Sequence, residues 1–229
     1  MLYAPEPIKL LDHGLIRLVD FMGSDLSIVR NARVSYDAEW RAGEDEGSDH
    51  RLINYLCKND HNTPFESVVF TFEVKAPIFV FRQWHRHRTQ SYNEQSARYS
   101  VLSEEFYVPE PHQITTQHPK NKQMRTDEVH PCAGEMATLM DEQNKAAFQV
   151  YRTLINIGCP RELARTILPV ATYSHMFATV NLHNLFRFCS ERSDSHAQYE
   201  IRVYSDAMLE LIEPIVPVAV AAFNKGREI

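Results

Sequence analysis

Between Val68 and Ala76 the chain reads VVFTFEVKA, and no other stretch restricts the fold as tightly. Phe70, Phe72 and Val74 alternate with Thr71, Glu73 and Lys75, which is the two-residue period of a half-buried strand. Pro77 follows and suits the first position of a helix. The residues after it, IFVFRQWHRHR, continue at helical spacing: Arg82, Gln83 and Arg86 share a polar side, while Ile78, Phe81 and Trp84 form much of another. A helix packed on a sheet follows from this order, with its guanidinium groups emerging at the helix end.

The flanking segments supply the rest of the architecture. LIRLVDFMG (15–23) predicts a strand ending at Gly23, with Ser24 or Asp25 capping a helix through LSIVRNARVSY. Residues 38–49 form an acidic loop, and Asp49 is expected to cap HRLINYLCKN, where Leu52, Ile53, Tyr55 and Leu56 recur at helical spacing. Residues 111–130 are polar and patternless and are read as a surface loop without assigned function. A long helix is expected from Cys132 to Ile157, stopped by Gly158. Pro160 restarts a short one, RELARTIL, ended by Pro169. VATYSHMFATV (170–180) is a further strand. Asn181 caps LHNLFRFCSER, and Ser195 or Asp194 caps a final helix from His196, broken near Pro214 and Pro217. Strands and helices without a βαβ rhythm predict an α+β class, with a mixed sheet and packed helices in one domain over 1–229.

Several classes of function are disfavoured by composition. The chain has 24 Lys plus Arg against 30 Asp plus Glu, a formal net charge of −6. A general nucleic-acid binder would show a broad basic face, so no nucleic-acid partner is expected. No run of about 18 apolar residues suggests a membrane span, and MLYAPEPIKLLDHG lacks the features of a secretory leader. Cys57, Cys132, Cys159 and Cys189 are widely spaced, as expected of thiols in a reducing cytoplasm, and give no Cys-based metal site.

Against that acidic background, residues 82–100 hold Arg82, Arg86, Arg88 and Arg98, with His85 and His87 between them and Glu94 as the only acid. A solvated face with surface ion pairs is the ordinary reading of such a cluster. Three details oppose it: the single acid, the apolar helix directly before it, and the donors Ser91, Asn93, Gln95 and Ser96 directly after. Guanidinium with hydroxyl and amide donors is equipment for phosphate. His85-x-His87 resembles a metal pair, but on a helix these side chains diverge by about 200° and flanking arginines repel a dication. A second constellation lies in NLHNLFRFCSERSDSHAQ (181–198), where His183, Arg187 and Glu191 share a helix face and Arg192 follows. The apolar neighbours Leu182, Leu185, Phe186 and Phe188 bury much of this helix, and buried arginine needs an anion. Arg165 is a third candidate.

These residues carry a resemblance. Arg86-His87-Arg88, seven residues, then Ser96 resembles the R-H-R-x7-S signature of the flavin-dependent thymidylate synthases. Residues 61–100 resemble that family's central block, and GCPRELARTILP (158–169) and RSDSHAQYEI (192–201) its two later blocks in order. The resemblance implies methylation of dUMP to dTMP, with methylenetetrahydrofolate as one-carbon donor and NADPH as reductant through FAD. It further implies a cytoplasmic homotetramer whose sites are shared between subunits.

Carried over by position, it implies that Thr63, Arg86, His87, Arg88, Glu94, Asn181, His183 and Arg187 hold FAD. For dUMP it implies Gln83, Trp84, His85, Arg86, Glu94, Gln95, Ser96, Ala97 through its backbone, Arg98, Arg165 and Arg192. Arg192 is the expected catalytic residue, a fixed cation favouring an enolate-like uracil; His61 stands near the flavin. Members of the family often have Arg where His183 stands and a neutral or His side chain where Arg187 stands. Two rivals remain: a cysteine-dependent synthase using Cys189, although that residue sits among apolar neighbours, and a nucleotide- or RNA-binding module without catalysis.

Overall fold

Residues 6–227 are described by the computed structural model; the remaining residues of the expected 1–229 domain, including the first five of the stretch read for a leader, lie outside them. Strands β1 (Ile8–Leu10) and β2 (Gly14–Met22) lead into helices α1 (Asp25–Arg33) and α2 (Glu46–Lys58). Strand β3 (Val69–Pro77) runs directly into α3 (Ile78–Trp84), and β4 (Ser91–Glu94) follows. Strands β5 (Thr115–Gln117) and β6 (Arg125–Val129) precede α4 (Ala133–Asn156) and α5 (Arg161–Ala164). Strand β7 (Tyr173–Asn181) runs directly into α6 (Leu182–Arg192), and α7 (Tyr199–Ile212) and α8 (Pro217–Arg227) close the chain.

The principal sheet has the order β1-β2-β3-β7-β4. Each of its pairings is antiparallel, so the α+β class is as expected while the sheet is antiparallel rather than mixed. The alternation in β3 sets its faces. Phe70, Phe72 and Val74 are fully buried together with Ile16, Leu18, Met176 and Ala178. Against them pack Ile28, Val29, Ile53, Leu185, Phe188, Tyr204 and Val216 from the helices. Full burial of each such side chain stabilises by about 1.5–3 kcal/mol. The opposite face is polar: Thr71 meets Thr179 at 3.0 Å, Lys75 meets Glu105 at 2.6 Å, and Glu73 holds both Arg17 and His175.

Four further expectations are corrected. Helix α2 starts a turn early, because Asp45 caps it by accepting from Ser48 N at 3.0 Å. Asp49 lies inside that helix, buried, paired with Arg33 at 2.6 Å and accepting from Gly43 N at 2.7 Å. Helix α3 stops at Trp84 and does not reach Arg88, since the Tyr92 hydroxyl donates to the carbonyl oxygens of His87 (2.8 Å) and Trp84 (3.3 Å) and folds the chain back. Neither Asp194 nor Ser195 caps the last long helix; Asp194 closes a tight turn on His196 N at 2.7 Å, and α7 begins after Gln198. Asn181 does cap α6, accepting from Asn184 N at 2.9 Å.

The fourth correction is the segment read as a loop, 111–130, which contains the hairpin β5–β6. A buried carboxylate anchors it. Glu200, in the first turn of α7 and only 2% exposed, accepts from Arg125 Nη2 at 2.9 and 3.1 Å and from the Tyr107 hydroxyl at 3.1 Å. Removing one partner strands a charge in low dielectric. Arg125→Ala should therefore destabilise by about 2–3 kcal/mol, the low end for a buried pair because Arg125 is partly exposed. A melt should fall by roughly 4–12 °C on the scale for a chain of this size, and an unchanged midpoint would show that Glu200 is satisfied without it.

Candidate active site

Trp84 fixes the site from beneath. Its ring is fully buried, 4.8 Å from Phe188 on α6 and 6.2 Å from Tyr204 on α7, and its indole N–H donates to Gln90 at 3.1 Å. An aromatic anchor at the last position of α3 leaves the next residues no room in the core, so the chain turns outward. Arg82, Gln83, Arg86, His87, Arg88 and Thr89 then form one wall of a cleft of about 580 Å³. Helix α6 forms the other wall with Asn184, Arg187, Glu191 and Arg192. Five of these ten lining residues are arginines, and Glu191 is the only acid among them. Charge so one-sided in a concave surface selects an anion, and a planar guanidinium meets phosphate with two hydrogen bonds.

His87 organises the junction of the two walls. Its Nε2 accepts from Arg192 Nε at 3.0 Å, with Glu191 3.9 Å away and Phe188 against the ring at 4.8 Å. Burial pushes this imidazole below its ordinary pKa; Arg192 and Arg187 push the same way and Glu191 opposes them. The ring is thus held neutral, which it must be to accept a hydrogen bond from a cation. Arg192 is oriented through Nε, leaving its terminal nitrogens for the cleft.

The remaining expected residues fall into other places. Glu94, at the end of β4, accepts from Ser174 at 2.6 Å, and Gln95 N donates to the His175 carbonyl at 2.7 Å. Ser96 accepts from Arg98 N at 3.3 Å, Ala97 is buried, and Arg98 Nε lies 3.8 Å from Glu162 on α5. Arg165, exposed, follows one turn later, and Arg161 donates to the Tyr99 carbonyl at 3.3 Å. None of these lines the cleft. The structure thus divides the expected set into two patches, one built on α3 and α6, the other on the 94–98 turn and α5. Thr63 and His61 are exposed beside the turn Thr63–Ser67, whose Phe65 packs on Phe186 of α6; His61 meets Tyr55 edge-on at 5.7 Å.

Three positions are corrected in detail. Trp84 is a core side chain and offers a ligand nothing but its backbone. His85 is lodged between Phe81 and Tyr92 (centroids 6.1 and 4.7 Å) and does not line the cleft. Asn181 spends its side-chain oxygen on Asn184, so any ligand contact falls to its amide nitrogen. His183 is half-buried and outside the lining, whereas Arg187 one turn on is inside it. Sequence reading placed Arg82 in the basic stretch and Glu191 on the His183–Arg187 face without giving either a ligand, and it missed Thr89 and Asn184 as lining residues. Asn184 had a signal, since it stands three residues before Arg187 and so on the same helix face.

Cys189 is fully buried, with its thiol 3.8 Å from the Ser205 carbonyl; it faces the core and not the cleft. Among the described residues no group of three or more His, Cys, Asp or Glu side chains is placed to hold a metal ion. No helix among them is long and apolar enough to cross a membrane. A second cleft of about 530 Å³ lies between the β5–β6 hairpin and residues 195–202.

Residues 17–218 match the family model described as thymidylate synthase complementing protein. A flavin-dependent thymidylate synthase of Treponema denticola is 46% identical over 96% of this chain and 82% of its own. One from Rickettsia bellii is 44% identical over 97% and 79%. Among solved structures, the UMP/dUMP methylase PolB from Streptomyces cacaoi bound with 5-Br dUMP superposes with a TM-score of 0.85 at 36% identity, covering 95% of this chain and 97% of that one.

The depressed His87 pKa has a consequence for pH. Between the folded value and the unfolded value of about 6.5 the unfolded chain binds more protons, so stability falls as pH drops through that interval and is level above it. His87→Asn should flatten this slope: the loss in melting midpoint from about pH 7.5 to about pH 5.5 should be smaller than in wild type. An equal loss would mean that His87 is not held neutral.

Proposed function

The chain belongs to the thymidylate synthase complementing protein family, that of the flavin-dependent thymidylate synthases, and from that premise we propose how its residues divide the work of methylating dUMP to dTMP. Methylenetetrahydrofolate is the one-carbon donor, and NADPH the reductant. The observation that supports the reading is the cleft itself, where five guanidinium groups face one carboxylate. Such a donor set fits FAD, whose diphosphate supplies the missing negative charge.

When bound, FAD would supply the redox chemistry linking the nicotinamide to the methylene group. Everything else is positioning and charge. Arg86, Arg88 and Arg187 hold the diphosphate, with Thr63, His87, Asn181 and His183 around the rest of the cofactor. Ser96, the Ala97 backbone, Arg98 and Arg165 grip the nucleotide phosphate, Gln83 and Gln95 contact the nucleotide, and Glu94 stands between the two ligands. Arg192, aimed by neutral His87, stabilises the negative charge that builds on the pyrimidine as C5 becomes nucleophilic. No side-chain nucleophile is needed, consistent with Cys189 lying in the core.

The division into two patches shapes the assembly. Because the Ser96–Arg165 patch lies outside the lining of the cleft, the reading has one copy supply the Gln83–Arg192 patch of each nucleotide site and a second copy the Ser96–Arg165 patch, in keeping with the homotetramer with shared sites that the family resemblance implies. It works in the cytoplasm, without membrane or nucleic-acid partners.

Purified protein should be yellow with bound flavin, and dUMP should perturb that spectrum. Arg192→Ala should slow dUMP-dependent flavin oxidation by about 10²–10³-fold, the usual effect of deleting one preorganised electrostatic stabiliser; a wild-type rate would remove Arg192 from the chemistry. Arg98→Ala should also be nearly inactive. Co-assembled chains of the two variants should recover activity, since roughly a quarter of randomly paired shared sites are intact. Verified mixed oligomers that stay dead would place both patches in one subunit's site.

A further inference from the structure

Gln83 faces the cleft with its side-chain amide already engaged: Nε2 donates to Oε1 of Gln198. A carboxamide has two ends, and fixing one fixes the other. With its nitrogen turned to Gln198, Gln83 offers its carbonyl oxygen, an acceptor, to whatever binds. Five of the ten lining residues are arginines, which can only donate, and Glu191 is the one carboxylate, so a directed neutral acceptor adds something the guanidinium groups cannot supply.

The backbone of Gln198 is held, although its side chain is exposed: it occupies the position before α7, and its main-chain carbonyl accepts from Ile201 N at 3.2 Å and Arg202 N at 3.1 Å. Two residues on, Glu200 is locked by Arg125 of the hairpin and by Tyr107. Arg125 also donates through Nη1 to the Gln113 carbonyl at 3.2 Å, which ties the base of the hairpin to the same point. The β5–β6 segment, which has no part in the nucleotide or flavin contacts, thus buttresses the start of α7, where Gln198 stands against Gln83.

We infer that Gln198, held through the Arg125–Glu200 anchor, is a positioning residue that orients the Gln83 amide so that its oxygen accepts a hydrogen bond from an O–H or N–H donor of the nucleotide. This rests on the reading that the cleft binds dUMP. dUMP carries two such donors, the sugar 3′-hydroxyl and the uracil N3–H. Loss of one oriented hydrogen bond is worth on the order of tenfold in affinity.

The test is titration of the flavin-loaded full-length protein with dUMP, its 3′-deoxy analogue and N3-methyl-dUMP. Wild type should bind one of the two analogues about tenfold more weakly than dUMP, which identifies the donor. Gln198→Leu, close in size but without an acceptor, should bind dUMP about tenfold more weakly, raise KM with kcat within about twofold, and lose the discrimination. Gln198→Glu, which can only accept, should keep the discrimination ratio whatever its absolute affinity. Flavin content and melting midpoint should not change in either variant, which separates orientation from a merely structural role. If Gln198→Leu folds poorly, Gln198→Ser tests the same loss with a polar side chain too short to reach Gln83.

A wild-type protein that binds dUMP without distinguishing either analogue would overturn the inference, as would a folded Gln198→Leu that keeps the full ratio. Wild type that binds no dUMP at all would sink the functional reading along with it.

Discussion

The antiparallel pairing of β3 with β7 is the constraint from which the site follows. Nine consecutive residue pairs, from Val69–Asn181 to Pro77–Tyr173, hold these strands together at the centre of the sheet. Each strand passes without a loop into a helix, and because the strands are antiparallel those helices start at opposite ends. At about 3.3 Å per residue the strand spans roughly 26 Å. At about 1.5 Å per residue α6 covers roughly 16 Å and α3 roughly 10 Å, so two helices running inward over one face meet. Their meeting point is Trp84 against Phe188, with His87 against Arg192 just above it. A slip of one residue in the β3–β7 register would turn Phe70, Phe72 and Val74 toward the polar face, so the core protects the geometry of the cleft.

What the core holds together, electrostatics would push apart. Five guanidinium groups around one cleft repel each other, and the protein limits the cost in two ways. Most of these arginines keep their heads in water, where screening is strong: Arg82, Arg86, Arg88 and Arg187 are all exposed, and only Arg192 is partly withdrawn. Burial also keeps His87 from adding a further charge. The result is a site with little internal pairing. Its arginines are left with capacity to bind an anion, which a network of saturated salt bridges would not have.

Local chemistry made much of this legible in advance. The β3 alternation, Gly158 ending α4 in a left-handed conformation (φ +86°), and Asn181 capping α6 are all short-range signals that the structure bears out; Pro77 marks the start of α3 as well, one residue early, as the cap before Ile78 rather than the first helical residue. Asp49 failed for a tertiary reason: an acid that caps well by sequence is needed in the core to hold Arg33 and the 39–44 loop, while Asp45 takes the cap. The hairpin at 111–130 was invisible because its strands are three and five residues long and polar on both faces. What secures it, Arg125 on Glu200, joins residues 75 apart in sequence. Trp84 and His85 stand in the family-like block beside true lining residues, and only three-dimensional packing separates an anchor under the site from a contact within it.

The same packing fixes the second patch outside the lining of the cleft within one chain. Between Arg88 and Ser96 the chain runs through β4, which is paired with β7 from Ser91–Thr179 to Glu94–Met176 and pinned at its end by Ser174 on Glu94. Bringing Ser96 and Arg98 round to the cleft would break that ladder and the Glu94 bond together. It would also free α5 from the second core cluster, where Ala164 packs with Phe148 and Tyr151. A second copy offering its own 94–98 turn unites the patches with every such contact kept, at the cost of association alone. On the proposed reading the edge strand β4 is therefore a spacer: it keeps each subunit from completing its own site and makes the assembled oligomer the catalytic unit.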